Sequence, residues 1–228
     1  MATTAAPITR REKMEAKERA ILDAARIEFS ERGFESAKMS AIAKRAEVAE
    51  GTVYLYYRNK KELLDAVVAQ FWQVLTQGAR KATLAHDHTL EKLKALADFH
   101  LRELVKDFDF VGFTVRTRET GTLDSPSLNP IRGYVAVFDE LFRQGVDRGI
   151  FQETAPLWVI RDLFYGTLEY SSRTLHLHKT RDAQAVTQHL TEVFVTLYGN
   201  TKMARDETNL QRIEAQLARI EAKLDARS

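Results

Sequence analysis

Met39-Ser40-Ala41-Ile42-Ala43-Lys44-Arg45-Ala46-Glu47-Val48-Ala49-Glu50-Gly51-Thr52-Val53-Tyr54-Leu55-Tyr56-Tyr57-Arg58-Asn59-Lys60 is the stretch on which the reading of this chain turns. It divides into two short helical runs, Met39–Ala46 and Gly51–Tyr57, joined by the turn Glu47-Val48-Ala49. Ile42, Ala43 and Val48 are apolar where two crossing helices must touch, and Ala43 is small, as close crossing requires. Ser40, Lys44, Arg45, Thr52, Leu55, Tyr56, Arg58 and Lys60 are the outward positions. They supply donors for phosphate oxygens, with an apolar side chain and a hydroxyl suited to thymine methyls or base edges. Such a pair lets the second helix enter the DNA major groove while the first crosses the backbone. A helix-turn-helix is expected here, with double-stranded DNA as its partner.

The flanks agree with that head. A first helix is expected from about Arg11 to Arg32, with Ile21, Ala24, Ala25 and Phe29 on one face and Gly33 placed to end it in the left-handed conformation. Downstream, Asn59 is the expected N-cap of a fourth helix reaching about Thr83, and Glu62 stands three residues on, where a capping box needs it. Beyond His86 come longer amphipathic segments, Leu90–Lys106, Phe110–Thr120, Asn129–Arg148, Leu157–His178 and Ala183–Tyr198. No stretch sustains period-2 alternation, so no sheet is expected and the fold class is all-α. The domains expected are a DNA-binding head over 15–75, a helical body over 80–200 and a C-terminal helix over 207–228.

Charge follows the same division. Net charge is only +2, but residues 1–61 carry 13 Lys and Arg against 9 Asp and Glu, and the remainder is slightly acidic. A basic head on a neutral body is the footprint of a nucleic-acid binder. With no cysteine, disulfides, thiolate zinc sites and Cys nucleophiles are excluded. No apolar run approaches the roughly 20 residues that span a bilayer, so a cytoplasmic protein is expected. The basic arm Arg10-Arg11-Lys13 reads either as a solvated helix start or as a segment following the DNA backbone or minor groove.

The run Ile42–Lys60, together with Ile21-Leu22-Asp23-Ala24-Ala25, Phe29 and Gly33-Phe34 upstream, resembles the TetR family of one-component repressors over about residues 15–75. The resemblance implies that Thr52 and Tyr56 hydrogen-bond phosphate or base and that Tyr54 fixes the recognition helix. It implies that Lys60 neutralises a phosphate and that Ser40 meets the backbone. The DNA-binding set expected is Ser40, Lys44, Arg45, Thr52, Val53, Tyr54, Leu55, Tyr56 and Lys60; Tyr54, Tyr56 and Tyr57 also read as core or rim aromatics, Tyr57 chiefly as core. Two positions depart from the family pattern. Glu47 replaces the usual turn glycine, so either the turn is reshaped or a non-glycine residue accepts a positive φ. Ala49 replaces the usual serine N-cap, and Glu50 compensates only through the helix dipole.

For the body, the resemblance implies a ligand-sensing and dimerisation domain, with helices 157–178 and 183–198 forming the interface of a homodimer. Tyr54–Lys60 with Phe164-Tyr165-Gly166-Thr167-Leu168-Glu169 is similar to the fatty-acid-degradation branch, which senses long-chain acyl-CoA. Phe99, Phe108, Phe110, Phe113, Phe138, Phe142, Trp158, Phe164 and Tyr165 then become candidates for lining a pocket, each also at home in an ordinary core. Arg116 and Arg118 become candidates for the CoA phosphates, or plain solvated charges. The alternatives are a regulator of a drug-efflux or other metabolic operon with another hydrophobic effector, and a helical scaffold that binds no DNA.

The tail carries Leu210, Ile213, Leu217, Ile220 and Leu224 at spacings of 3, 4, 3 and 4, a heptad seam. It reads equally as pairing across a dimer, joining two dimers, or lying on its own subunit. No enzyme is expected, and no catalytic set, metal site or cofactor. His176 and His178 fall on different faces of a helix, His86 and His88 lack a carboxylate cluster, and no serine sits in a G-x-S-x-G context.

Overall fold

A computed structural model describes residues 9–119, 129–179 and 181–200, and positions 213, 216, 217 and 219; within 115–119 it describes the backbone only. Among the described residues the chain is all-α. Its helices are α1 (Arg10–Ser36), α2 (Met39–Arg45), α3 (Glu50–Tyr56), α4 (Lys60–Leu84), α5 (Thr89–Lys106), α6 (Phe108–Glu119), α7 (Asn129–Asp147), α8 (Leu157–Leu177) and α9 (Ala183–Tyr198). One isolated antiparallel bridge, Phe151 to Gly199, is the extended pairing present among them. No described helix is long and apolar enough to cross a membrane.

Each helix starts and stops for a local reason. At α1, Thr9 accepts from the Glu12 amide at 3.2 Å while the Glu12 carboxylate accepts from the Thr9 amide at 2.6 Å, a complete capping box. The Thr9-x-x-Glu12 spacing announces that start in the sequence, with Thr9 as N-cap and Arg10 as first helical residue, one before the Arg11 expected above. Gly33 has φ 73° and ψ 170°, a conformation open to glycine, yet it kinks α1 instead of ending it, and the helix resumes to Ser36. At α4, Asn59 accepts from the Glu62 amide at 2.9 Å. The Glu62 carboxylate reaches back one residue further than a standard box, to the Arg58 amide at 2.9 Å.

The chain forms two compact units. One holds the residues up to Gln73 with Asp109–Pro130; the other holds Val74–Phe108 and the described residues from Ile131 on. In the first, Ile21, Ala25 and Phe29 of α1 bury with Ile42, Ala43, Val53, Leu63, Leu64 and Val67. Phe113 stacks on Phe29 at 6.0 Å and Phe110 meets Phe71 edge-on at 4.9 Å, which is why the described residues of α6 from Asp109 on group with the head. In the second, α5 packs on α8 and α9 around a ring cluster of Phe138, Phe142, Phe164, Phe194 and Tyr198. Two glycines mark close approaches there: a Cβ on Gly78 would lie 2.4 Å from the Phe99 ring, and one on Gly145 2.3 Å from Phe151.

Candidate nucleic-acid interface

Glycine is missing from the turn between α2 and α3, which requires a left-handed residue. α2 ends in a Schellman motif: the Val48 amide donates to the Ala43 carbonyl at 3.0 Å and the Glu47 amide to Lys44 at 3.3 Å. This closure forces φ 55° on Glu47, the single positive-φ non-glycine residue among those described. The same motif ends α7, where Ile150 bonds Gly145 at 2.8 Å, Gly149 bonds Val146 at 2.9 Å, and φ 72° falls on glycine. The turn is thus not reshaped. Glu47 takes the glycine conformation, at a cost of about 1 kcal/mol.

α3 follows with Ala49 as N-cap and no side-chain cap bond; the Thr52 amide closes on the Ala49 carbonyl at 2.8 Å instead. Its exposed surface carries Gly51, Tyr54 and Leu55, with Thr52 and Tyr56 half-buried beside them, and Leu55 is 85% exposed. Ser40 and Lys44 of α2 are likewise exposed. Val53 does not belong with them: its side chain is fully buried and fixes α3 to the head core, so it is withdrawn from the contact set.

Three other residues of that set are engaged within the protein. Arg45 pairs with Glu31 at 2.7 Å and approaches the buried Glu28 at 3.7 Å, while Arg32 holds Glu28 at 3.1 Å. Its guanidinium therefore ties α2 to α1 and compensates a buried carboxylate. The Tyr56 hydroxyl donates to the Met14 carbonyl at 3.3 Å, committing the proton that a phosphate would take. The Lys60 ammonium donates to the Glu35 and Ala37 carbonyls at 2.8 and 3.1 Å and lies 4.8 Å over the Phe34 ring. It closes the end of α1. Tyr57 is core, as expected; its hydroxyl donates to Glu18 at 3.1 Å, and burial raises its pKa. No sequence pattern marks these three ties, because they join residues 14 to 42 positions apart.

In the body, the expected pocket does not gather. Phe138, Phe142, Phe164 and Tyr165 are packed ring on ring at 4.7–6.0 Å in the interior. Phe99 fills the approach at Gly78, Phe108 stacks on His176 at 4.0 Å, and Phe113 lies in the head unit. Trp158 is 59% exposed on α8 and lines no interior space. The side chains of Arg116 and Arg118 lie outside the described residues. Two large cavities lie elsewhere. One of about 760 Å³ runs between α8 and α9, past Leu163, Thr167, Leu175, Val186, His189 and Val193. Another of about 750 Å³ is bounded by Leu101, Arg102, Val105, His176, Lys179 and Arg181.

The interior is not wholly apolar. His100 Nδ1 shares a 2.7 Å hydrogen bond with the Tyr134 hydroxyl. His100 Nε2 and the Tyr165 hydroxyl are buried with no hydrogen-bond partner. Burial depresses the His100 pKa to about 3 and raises those of Tyr134 and Tyr165, so all three are neutral at physiological pH.

An exposed, apolar-tipped second helix on a rigid helix-turn-helix, set on an all-helical body, defines a DNA-binding transcriptional regulator. The model for bacterial regulatory proteins of the tetR family matches residues 21–67, and that for the C-terminal region of YsiA-like proteins matches residues 67–179. The chain belongs to the TetR family of ligand-responsive transcriptional regulators and is not an enzyme. It is 26% identical over 183 residues to the fatty acid metabolism regulator protein of Bacillus subtilis, covering 77% of this chain and 92% of that one. The fatty acid degradation regulator FadR of Bacillus halodurans superposes with a TM-score of 0.67 at 27% identity, over 78% of this chain and 94% of that one. FadR of Bacillus subtilis, solved in complex with stearoyl-CoA, shares the fold with a TM-score of 0.64 at 23% identity, over 78% and 97%.

Proposed function

We propose that the protein is a cytoplasmic repressor that binds a palindromic operator as a homodimer and is released by a long-chain acyl-CoA. The observation that carries the DNA reading is Leu55, 85% exposed on a seven-residue helix whose opposite face is locked into the core. A leucine so placed suits the apolar face of thymine, and Thr52 and Tyr54 flank it with hydroxyls. Ser40 and Lys44 supply phosphate contacts from α2, with Arg45, Tyr56 and Lys60 holding the reading surface in place.

Dimerisation is supported by the outward face of α8, where Val159, Leu163, Gly166, Tyr170 and Leu177 are exposed at spacings of 4, 3, 4 and 7. Val186, Val193 and Leu197 continue the apolar surface on α9, across the 760 Å³ groove. Such a stripe on two adjacent helices suits a four-helix interface with a second copy. For the effector, the support is the relatives named for fatty acid metabolism and the stearoyl-CoA in one of them. An effector that orders the body acts on the head through α4, which runs unbroken from residue 60 to 84 through both units.

The test is fluorescence anisotropy on DNA from the gene's own upstream region. Stearoyl-CoA lowers operator affinity at least tenfold while free CoA does not. Equal affinity with and without stearoyl-CoA contradicts the effector assignment and leaves the DNA reading standing.

A further inference from the structure

The tail's heptad seam lies largely outside the described residues, Leu210, Ile220 and Leu224 among them. The cavity of about 750 Å³ in the body is, by contrast, bounded by described residues of one compact unit. Its walls come from the second half of α5, the end of α8, the connection after it and the start of α9. Leu101 and Val105 stand four residues apart on α5 and, with the buried Leu175 of α8, give it an apolar floor.

Arg102, Lys179 and Arg181 line the same space, and all three are exposed. Among the described residues no carboxylate pairs with Lys179 or Arg181. Arg102 meets Glu103 at 3.3 Å, a carboxylate that it shares with Lys106 at 3.4 Å. The carboxylate in the wall, Asp98, is already spent: the Lys94 ammonium donates to it at 2.6 Å and the Thr187 hydroxyl at 2.5 Å. Three like charges around one opening repel one another, and a bound anion removes that repulsion. A lone carboxylate leaves such a set underused, whereas phosphate oxygens accept from two guanidinium forks and an ammonium together. His176 adds a flat wall, because its ring is stacked on Phe108 at 4.0 Å with 10° between the planes. None of these residues belongs to the outward stripe of α8 or to Val186, Val193 and Leu197, so the face assigned to the dimer is a different one. The volume lies in the range of small-molecule sites.

We propose that this cavity binds a phosphate ester carrying a flat ring, with Arg102, Lys179 and Arg181 as its phosphate ligands. Two molecules bring that chemistry, the nucleotide end of CoA and a free nucleotide. The first rests on the acyl-CoA reading above, and the second does not.

Isothermal titration calorimetry of the full-length chain at moderate salt tests this, with CoA, ADP, adenosine and inorganic phosphate as probes. The native chain is expected to bind CoA and ADP. Adenosine and inorganic phosphate, each bringing half of the chemistry, bind about tenfold more weakly or worse. Arg102→Ala with Arg181→Ala weakens CoA and ADP by about tenfold or more. Both side chains are exposed, so thermal unfolding of that variant stays near native. Arg143→Ala, on the exposed side of α7 and outside this cavity, leaves binding unchanged. Equal affinity in the native chain and the double variant overturns the proposal. So does a native chain that binds neither CoA nor ADP, or one that binds inorganic phosphate as tightly as ADP. Operator release separates the two sources: release by stearoyl-CoA that the double variant loses assigns the site to the CoA end. ADP binding that needs the two arginines, beside stearoyl-CoA without effect on the operator, keeps the site for a free nucleotide and contradicts the acyl-CoA reading alone.

Discussion

Glu47 carries a backbone strain that a single substitution relieves. Its φ of 55° serves a Schellman closure that Gly149 makes without penalty at the end of α7. Replacing Glu47 by glycine is expected to raise unfolding stability by up to about 1 kcal/mol, where glycine in a helix interior would cost about that much. Thermal unfolding measures it, and a loss of stability contradicts the strain assignment. His100 makes the opposite kind of prediction. Its folded pKa near 3 lies below the 6.5 of the free side chain, so the unfolded chain binds the extra proton. Its contribution is intact above pH 6.5 and falls as pH drops towards 3, by at most about 1.4 kcal/mol per pH unit. Denaturant unfolding between pH 7 and 5 shows that loss in the native chain and less of it in His100→Phe; equal slopes contradict it. Glu47 was legible in the sequence because the turn's need for a left-handed residue is local. The His100–Tyr134 bond was not, since it joins side chains 34 positions apart with no periodic signature.

At the scale of the element, α3 separates residues that read from residues that hold. Leu55→Ala and Thr52→Ala are expected to weaken operator binding by about 1–3 kcal/mol while leaving binding to random DNA unchanged. Lys60→Met acts differently, because its ammonium is spent on the carbonyls of Glu35 and Ala37. It lowers thermal stability and leaves the salt dependence of DNA binding close to native, where loss of a true phosphate contact would reduce the slope by about 1. A flattened slope with unchanged stability returns Lys60 to the phosphate set. Most helix positions among the described residues were readable, since 3.6-residue periodicity and Asn59 are local signals, although Gly33 read as the end of α1 and instead kinks it. The roles of Arg45, Tyr56 and Lys60 were not. Each was outward and polar by pattern, and only the fold brings Glu31, Met14 and the end of α1 within reach.

For the whole molecule, the aromatic-rich body illustrates why a pocket is harder to read than a helix. Composition located the aromatics, but a filled core and a lined cavity use the same residues at the same spacing. Phe138, Phe142 and Phe164 close on one another, and the open volumes lie instead along α8 and α9. The outward stripe on α8 predicts that Tyr170→Asp with Leu177→Asp breaks the homodimer. Light scattering would then report a smaller assembly and operator affinity would collapse, because each head alone grips one half-site. Unchanged mass in that variant places the interface elsewhere. The central claim is that α3 reads a specific operator, and footprinting on the gene's own upstream region at moderate salt tests it most directly. The account predicts a protected two-fold symmetric segment with half-sites about one DNA turn apart, lost in Leu55→Ala. Protection no stronger than on random DNA would contradict it.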